Sequence, residues 1–433
     1  MSALPPAVEE AVAQGPRRPA VRAALDWLVE AHPGLDAELA DDPDLLRTLL
    51  SVLAASPALA RLLRSDAQAL DRLRRPDDRP PPPDGDAEEL VAWKRRELLR
   101  IAARDLTGRD GLEAVGADLA RMADAVLDRA RALAGAPAAG LAVVAMGKAG
   151  ARELNYASDV DVVFVGEGDP RPVLELARRA FRVDADLRPE GRNGPLTRTL
   201  ESYLAYWERW AEAWERQALL KARPVSGPAG LGAAFSAAAG EVVWGRPFTA
   251  EDLHQVRTMK ARSEGEVARR GLTGREIKRG PGGIRDVEFS VQLLQLIHGP
   301  ADPALRRPAT LDALAELQGA GYVADADARA LETSYRFLRT VENRLQMAEE
   351  EQTHTVPAGL EDRQWLARVC GFTDDPAASA AERLDQALRT HLATARAVHE
   401  RLFFRPLLEA FSAHPDRLTT GLPARAVGER LAA

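Results

Sequence analysis

Apolar positions between Val21 and about Leu73 recur at helical spacing: Leu25, Leu28 and Val29, then Leu45, Leu49, Leu50 and Leu53. Steps of three and four residues return a side chain to the same helix face, so this stretch predicts successive amphipathic helices. The run RPDDRPPPPDGD, Arg75–Asp86, breaks the pattern. Consecutive prolines fix φ and remove amide donors, which predicts a stiff exposed linker rather than helix or sheet. Beyond it Leu112, Val115, Leu119, Met122, Val126 and Leu133 line one face of a long helix, which Gly135 and Pro137 end.

The period then changes. Leu141–Met146 is a continuous apolar run, Val160–Val165 is rich in β-branched residues, and Phe181–Leu187 alternates apolar with charged positions. These predict three strands, and no other part of the chain fits a strand. After Tyr203 the helical pattern returns, is interrupted by a Gly-rich segment at Lys278–Arg285, and continues to the end. Tyr335, Phe337, Leu338, Val341 and Leu345 form a helical stripe that reads as core. The predicted class is α+β, predominantly helical, with a small αβ core set between helical regions. The ending at Ala433 carries no terminating feature, so the chain reads as one part of a longer protein.

A length of 433 residues predicts two or three domains. With 58 Lys and Arg against 65 Asp and Glu, the net charge of −7 repels phosphate backbones, so no nucleic-acid partner is expected. Any phosphate chemistry must be local. No apolar run approaches the roughly 20 residues of a membrane span, and Met1–Gly15 is acidic and Pro-bearing, unlike a signal peptide. A cytoplasmic protein without membrane contact is expected. The single cysteine, Cys370, reads as a core thiol, and the histidines show no zinc-site spacing.

The chemistry concentrates around the predicted strands. The first runs into Gly147-Lys148, and Ser158, Asp159, Val160 and Asp161 stand at the mouth of the second. Alternation puts Asp159 and Asp161 on one face of that strand. Two such carboxylates about 4 Å apart repel by about 4 kcal/mol at an effective dielectric of 20, which calls for cations. Hard oxygen donors suit Mg²⁺, and a pair of ions can clamp the entering and leaving oxygens at phosphorus. On the third strand either Asp184 or Asp186 could complete the set. Asp-x-Asp pairs also arise without a metal in an acidic chain, as Asp325 and Asp327 do at a predicted helix start. The strand, glycine turn and second strand around Asp159 and Asp161 set that pair apart.

Lys148, Arg188, Lys221 and Arg223 are cations near this acidic cluster, of the two types that hold phosphates, although each could instead lie on a solvated helix face. The segment KRGPGGIRDVE places three glycines before an amphipathic helix. Exposed amides at that helix start would bind an anion, with Lys278 and Arg285 adding charge.

Four ordered blocks carry a family resemblance: AMGKAGARELNYASDVDVVFV (Ala145–Val165), VDADLRPEGRNGPLTRTLESY (Val183–Tyr203), WERQALLKARPVSG (Trp214–Gly227) and IKRGPGGIRDVEFSVQLLQLIHG (Ile277–Gly299). Together with ENRLQMAEEEQTHTVP (Glu342–Pro357), they resemble glutamine synthetase adenylyltransferase/adenylyl-removing enzymes, and their amino-terminal unit in particular. The resemblance implies a nucleotidyltransferase-type mixed-sheet palm between an amino-terminal helical region and a carboxy-terminal helical bundle. The implied layout is helices over 1–75, a linker over 76–86, the palm with its flanking helices over 87–300, and the bundle over 301–433. It implies removal of AMP from a tyrosine of glutamine synthetase by phosphorolysis, releasing ADP.

The implied metal ligands are Asp159, Asp161 and Asp184, holding two Mg²⁺ ions. Gly147, Lys148 and Ser158 take the phosphate-cradling places, and Lys278, Arg285 and Glu288 stand at the border of palm and bundle. Inorganic phosphate and ADP or ATP are the implied small-molecule substrates and products, and glutamine synthetase and the PII signal protein the implied partners. Fewer residues than the family uses lie between Phe164 and Asp184, leaving Val173–Ala180 for the helix between strands. The rival readings are ATP-dependent attachment of AMP, uridylyl transfer to PII, and a non-catalytic docking unit.

Overall fold

The computed structural model describes residues 4–404. The part of the expected carboxy-terminal bundle that falls on residues 405–433 lies outside the described residues. The chain separates into two compact units. One holds the chain up to Met122, Leu154–Ser158 and Thr340–Ala387, and the other Ala123–Glu153, Asp159–Arg339 and the chain from Leu388 on.

The first unit is helical. Its early helices start where the sequence supplies caps. Asp42 accepts from the amides of Asp44 (3.0 Å) and Leu45 (2.9 Å) ahead of Pro43–Ala55, and Ser56 accepts from the amide of Leu59 (3.1 Å) ahead of Pro57–Ser65. Each such cap contributes about 1 kcal/mol, and a proline at the first helical position forfeits no bond. Ser56 Oγ also donates to the Met347 carbonyl (2.6 Å) and Trp365 Nε1 to that of Ala54 (2.8 Å), which ties the amino-terminal helices to the later segment of the same unit.

The Pro-rich segment lies wholly inside this unit and does not divide the two. Buried Arg100 donates to the Pro76 carbonyl (3.3 Å) and Trp93 Nε1 to that of Pro80 (3.0 Å), so the stretch is fastened to the helix Ala87–Leu106. Cys370 is partly buried and its thiol is pushed up to about 12 by burial, as a core thiol should be.

The second unit is built on a mixed sheet of strands β1 (Leu141–Ala145), β2 (Val160–Gly166), β3 (Val183–Asp184), β4 (Thr197–Arg198) and β5 (Arg223–Ser226). β1 runs antiparallel to β2 and to β5, while β3 and β4 run parallel to β2 along its other edge. The class is thus α+β and mainly helical, as the hydrophobic pattern implies. Two strands escaped that pattern. β4 has only two residues, and β5 carries Pro224, which an edge strand tolerates but which hides the strand in a sequence.

β3 is shorter than its alternation predicts because the chain turns back directly after it. The Arg188 guanidinium draws the turn together by donating to the carbonyls of Ala185 (2.8 Å), Gly194 (3.0 Å) and Arg192 (3.2 Å). One face of the sheet packs on a core that includes Val144, Val163, Val165, Leu293 and the ring cluster Tyr203, Trp207 and Phe235, whose centroids lie 5.1–5.4 Å apart. Tyr203 donates to the Phe164 carbonyl (3.1 Å), so its buried hydroxyl is satisfied.

Candidate functional site

β1 ends in a glycine turn, Gly147–Gly150, that the sheet itself demands. Gly147 has φ of +51°, and a Cβ there would meet Asp161 Oδ2 at 2.5 Å. A Cβ at Gly150 would meet the Lys221 carbonyl oxygen at 1.8 Å. A side chain at Gly147 would therefore displace the Asp161 carboxylate, and one at Gly150 would push the turn off the backbone at Lys221. The Met146 amide donates to the Asp161 carbonyl (2.8 Å), which fixes the turn beside the acidic strand.

The pairing of β2 with β3 sets Val160 opposite Val183 and Asp161 opposite Asp184. The valines are buried, and the two aspartates share the other face. One step earlier Asp159 meets Arg182 across the pair (3.1 Å), and Asp184 Oδ1 accepts from the Asp186 amide (2.8 Å). Asp186 is turned instead to Arg188 and Arg192. Of the two acidic positions on the third strand, Asp184 is thus the one in register with Asp161. A cleft of about 530 Å³ opens over Asp159 and Asp184, edged by Arg178, Arg182, Arg192 and Phe181.

Charge is unevenly balanced here. Burial, opposed by Lys148 and Lys278 and reinforced by Asp184 and Asp159, pushes the Asp161 carboxyl up to about 7. Burial is thus the main cause, and the two nearby ammonium groups do not overcome it together with the repulsion of Asp184 and Asp159. Glu288, on the helix Ile284–His298, retains some contact with solvent yet lies deep among protein atoms. Burial works against its charge, but Lys221, Lys278, Arg339 and Lys148 together hold its carboxyl below the usual range. The charges of Lys148 and Lys278 thus act on both Asp161 and Glu288.

The donor chemistry suits a hard divalent cation: carboxylate oxygens only, crowded enough to favour a proton on Asp161 when no cation is near. The cage is not drawn closed, since Asp159 faces Arg182 and Asp184 the Asp186 amide. Among the described residues no three His, Cys, Asp or Glu side chains are gathered into a ready ligand set.

Of the residues proposed from sequence, the structure brings Asp159, Asp161, Asp184, Gly147, Lys148 and Lys278 together, and Ser158 immediately precedes Asp159. The remaining four have other work. Arg188 closes the turn after β3. Arg223 holds Asp124 with two bonds (2.8 and 2.9 Å) and donates to the carbonyls of Gly150 and Ala149, fastening the glycine turn. Lys221 is paired with Glu153 (2.8 Å) and Thr310 (3.3 Å), and reaches the site only through its field on Glu288. Arg285 lies over the Phe289 ring.

The helix start after the GPGG turn offers no amides to an anion. The Gly282 amide donates to Asp286 Oδ2 (2.9 Å), those of Ile284 and Arg285 to the carbonyls of Ile277 and Lys278 (both 2.9 Å), and that of Gly280 to Glu276 (2.9 Å). Sequence reasoning missed Arg178, Arg182 and Arg192. The pairing of Val160 with Val183 would have revealed Arg182, because the next pair outward is Asp159 with Arg182.

The chain is similar to several known proteins. The family model described as Glutamate-ammonia ligase adenylyltransferase matches residues 25–179 and 176–238, and the one described as GlnD PII-uridylyltransferase matches residues 257–403. A protein named bifunctional glutamine synthetase adenylyltransferase/adenylyl-removing enzyme from Streptomyces avermitilis is 42% identical over 427 residues, or 90% of this chain and 41% of its own length. Proteins of the same name from Streptomyces coelicolor (42% over 431 residues, 88% of this chain, 42% of theirs) and Mycobacterium tuberculosis (44% over 362 residues, 78% and 36%) are similar too. The chain spans about two fifths of the length of the Streptomyces relatives.

Proposed function

Because the chain belongs to the glutamine synthetase adenylyltransferase/adenylyl-removing family, we propose that its acidic strand removes AMP from an adenylylated tyrosine of glutamine synthetase by phosphorolysis. The observation that carries the chemistry is the register of Asp161 with Asp184, with Asp159, Lys148 and Lys278 near enough for their charges to act on Asp161. The direction, removal rather than attachment of AMP, rests on the resemblance of the ELNYASDVDV and ENRLQMAEEEQTHTVP blocks to the amino-terminal unit of the family.

In this reading Asp159, Asp161 and Asp184 hold Mg²⁺, which when bound offsets negative charge on the reacting phosphoryl group. Lys148 and Lys278 hold inorganic phosphate by charge, and the arginines of the cleft hold the phosphate of the AMP moiety. A phosphate oxygen forms a bond to the α-phosphorus while the bond from that phosphorus to the tyrosyl oxygen breaks. The tyrosyl oxygen takes a proton, and the products are ADP and unmodified tyrosine. No covalent link to the chain is needed. Glutamine synthetase is the proposed protein substrate, PII a proposed regulator, and the cytoplasm the proposed setting. No single helix among the described residues is long and apolar enough to cross a membrane.

The match to the uridylyltransferase model covers the helical part after the sheet and none of the acidic strand. It therefore speaks for the architecture of the bundle rather than for a uridylyl substrate. The test is to incubate the chain with adenylylated glutamine synthetase, Mg²⁺ and phosphate and to assay ADP. ADP should form, and Asp159→Asn or Asp161→Asn should lower its rate by on the order of 10³-fold with the fold intact. Labelling of unmodified glutamine synthetase from ATP, with no ADP from the adenylylated form, would reverse the direction, and full activity in the double Asn variant would remove the site.

A further inference from the structure

The turn that carries Lys148 closes without a glycine. The Arg152 amide donates to the Ala149 carbonyl (3.2 Å) and the Glu153 amide to the Lys148 carbonyl (2.8 Å), with Arg152 in the left-handed region at φ +59°. These two bonds form a common helix ending, in which the left-handed place usually goes to glycine. A side chain in that conformation is strained, and such strain persists only where contacts outside the turn hold it.

Those contacts converge on Glu153. Its Oε1 accepts from the Thr310 amide (2.6 Å), and its Oε2 from Lys221 Nζ (2.8 Å) and Thr310 Oγ1 (3.1 Å). Its backbone carbonyl accepts from Arg339 (2.7 Å). Every one of these residues belongs to the second unit, as Lys148 does. The helix Thr310–Gly319 begins after Ala309, which has no side chain to cap it, and Glu153 serves as the cap from a distant part of the chain. Thr310 is buried, and the side chains of Lys221 and Glu153 are only 8% and 13% exposed. Moving the carboxylate would leave a buried ammonium without its counter-charge and a helix amide without its acceptor. Glu153 therefore has one favoured position, and its amide passes that position to Lys148.

We infer that Glu153 is a positioning residue for Lys148: its carboxylate is clamped by Lys221 and Thr310 while its amide fixes the backbone of the lysine that holds inorganic phosphate. The inference rests on the reading of Lys148 as a phosphate-holding residue. Beyond its field on Glu288, Lys221 then acts by holding Glu153 rather than by touching substrate.

The test measures binding of radiolabelled inorganic phosphate to the full chain by equilibrium dialysis with Mg²⁺ present. Glu153→Gln keeps an acceptor for the Thr310 amide but loses the charge that faces Lys221, and should weaken phosphate binding on the order of ten-fold. Thr310→Val, which removes only the hydroxyl, is the milder second variant and should weaken it about two- to three-fold. Because Glu153 acts through Lys148, adding Glu153→Gln to Lys148→Ala should change phosphate affinity by no more than about two-fold. Mn²⁺ affinity, read by electron paramagnetic resonance, should be retained in Glu153→Gln, since the aspartates are left in place. Unchanged phosphate affinity in both folded variants, additive losses in the double variant, or a parallel fall in Mn²⁺ affinity overturns the inference. Equal phosphate binding by wild type and Lys148→Ala overturns instead the reading of Lys148 beneath it, and is told apart because it does not depend on residue 153.

Discussion

Two glycine turns in the second unit look alike in sequence, each with a lysine and a nearby aspartate, but the structure treats them in opposite ways. At Gly280–Gly283 the carboxylates of Glu276 and Asp286 accept turn amides, and Asp286 is also paired with Lys260 (3.0 Å) and lies 3.5 Å from Arg396. Both of these carboxylates have partners. At Gly147–Gly150 the carboxylate packed on the turn, Asp161, is pushed up to about 7 by burial, with Asp184 and Asp159 adding repulsion that Lys148 and Lys278 do not cancel. The difference teaches that a motif of glycine, lysine and aspartate marks a site only where its charges are left unbalanced by the fold. A balanced turn is a structural joint.

The sharpest way to break this contrast is one chemical change at both turns. Asp286→Asn leaves buried Lys260 with Glu264 alone and should destabilise the chain by about 2–3 kcal/mol. Asp161→Asn in the absence of metal removes a charge the site does not neutralise and should stabilise by about 1 kcal/mol, while turnover with Mg²⁺ present falls on the order of 10³-fold. Thermal melts of the two variants at neutral pH check the sign. Destabilisation in both would mean that Asp161 is as well compensated as Asp286, and the site reading would lose its electrostatic ground.

The glycines sharpen the same comparison. Gly282 (φ +75°) and Gly147 (φ +51°) both sit in the left-handed region. A Cβ at Gly282 would strike the Leu392 backbone oxygen at 1.9 Å, which cannot swing aside, whereas at Gly147 it meets the end of a side chain. Gly282→Ala should therefore cost about 3 kcal/mol or more. Gly147→Ala should cost about 1–3 kcal/mol, with loss of Mn²⁺ affinity as Asp161 is displaced. Equal melting temperatures with Mn²⁺ affinity retained at Gly147→Ala would show that Asp161 has room the structure does not give it.

Much of the geometry around Asp161 is legible in the sequence. Strand alternation alone placed Asp159 and Asp161 on one face, because a period of two survives in a short strand. Legibility failed where the partner is distant in sequence. Nothing local tells that Arg223 is taken by Asp124, that Lys221 is taken by Glu153, or that Asp286 four residues on fills the amide of Gly282. Glycine runs advertise free amides, and only tertiary structure reveals that they are already bonded. The Pro-rich stretch is free of helix and sheet and mostly exposed, as read, but its fastening was not legible: proline removes donors, yet its carbonyls remain acceptors, and Arg100 and Trp93 use them.

The smallest effect concerns the balanced turn's own reserve. His399 Nδ1 lies 2.7 Å from Ser290 Oγ, one helical turn after Asp286, and the ring is buried. Burial, with Lys260 and Arg396 adding repulsion and Glu264 opposing them, lowers its pKa to about 3. Its folded value lies below the unfolded value near 6.5, so between about pH 6.5 and about pH 3 the unfolded chain binds a proton that the folded chain refuses, and stability falls as pH falls. Cooling the comparison to one residue, His399→Gln keeps a hydrogen-bonding partner for Ser290 without a titrating ring. From about pH 7.5 to about pH 5 the wild type should lose roughly 1–2 kcal/mol more than this variant, read as a divergence of their melting temperatures. Parallel melting curves over that range would mean that His399 takes up its proton in the folded chain, which the paired lysine and arginine around it would then have to accommodate by releasing Asp286 or Glu264.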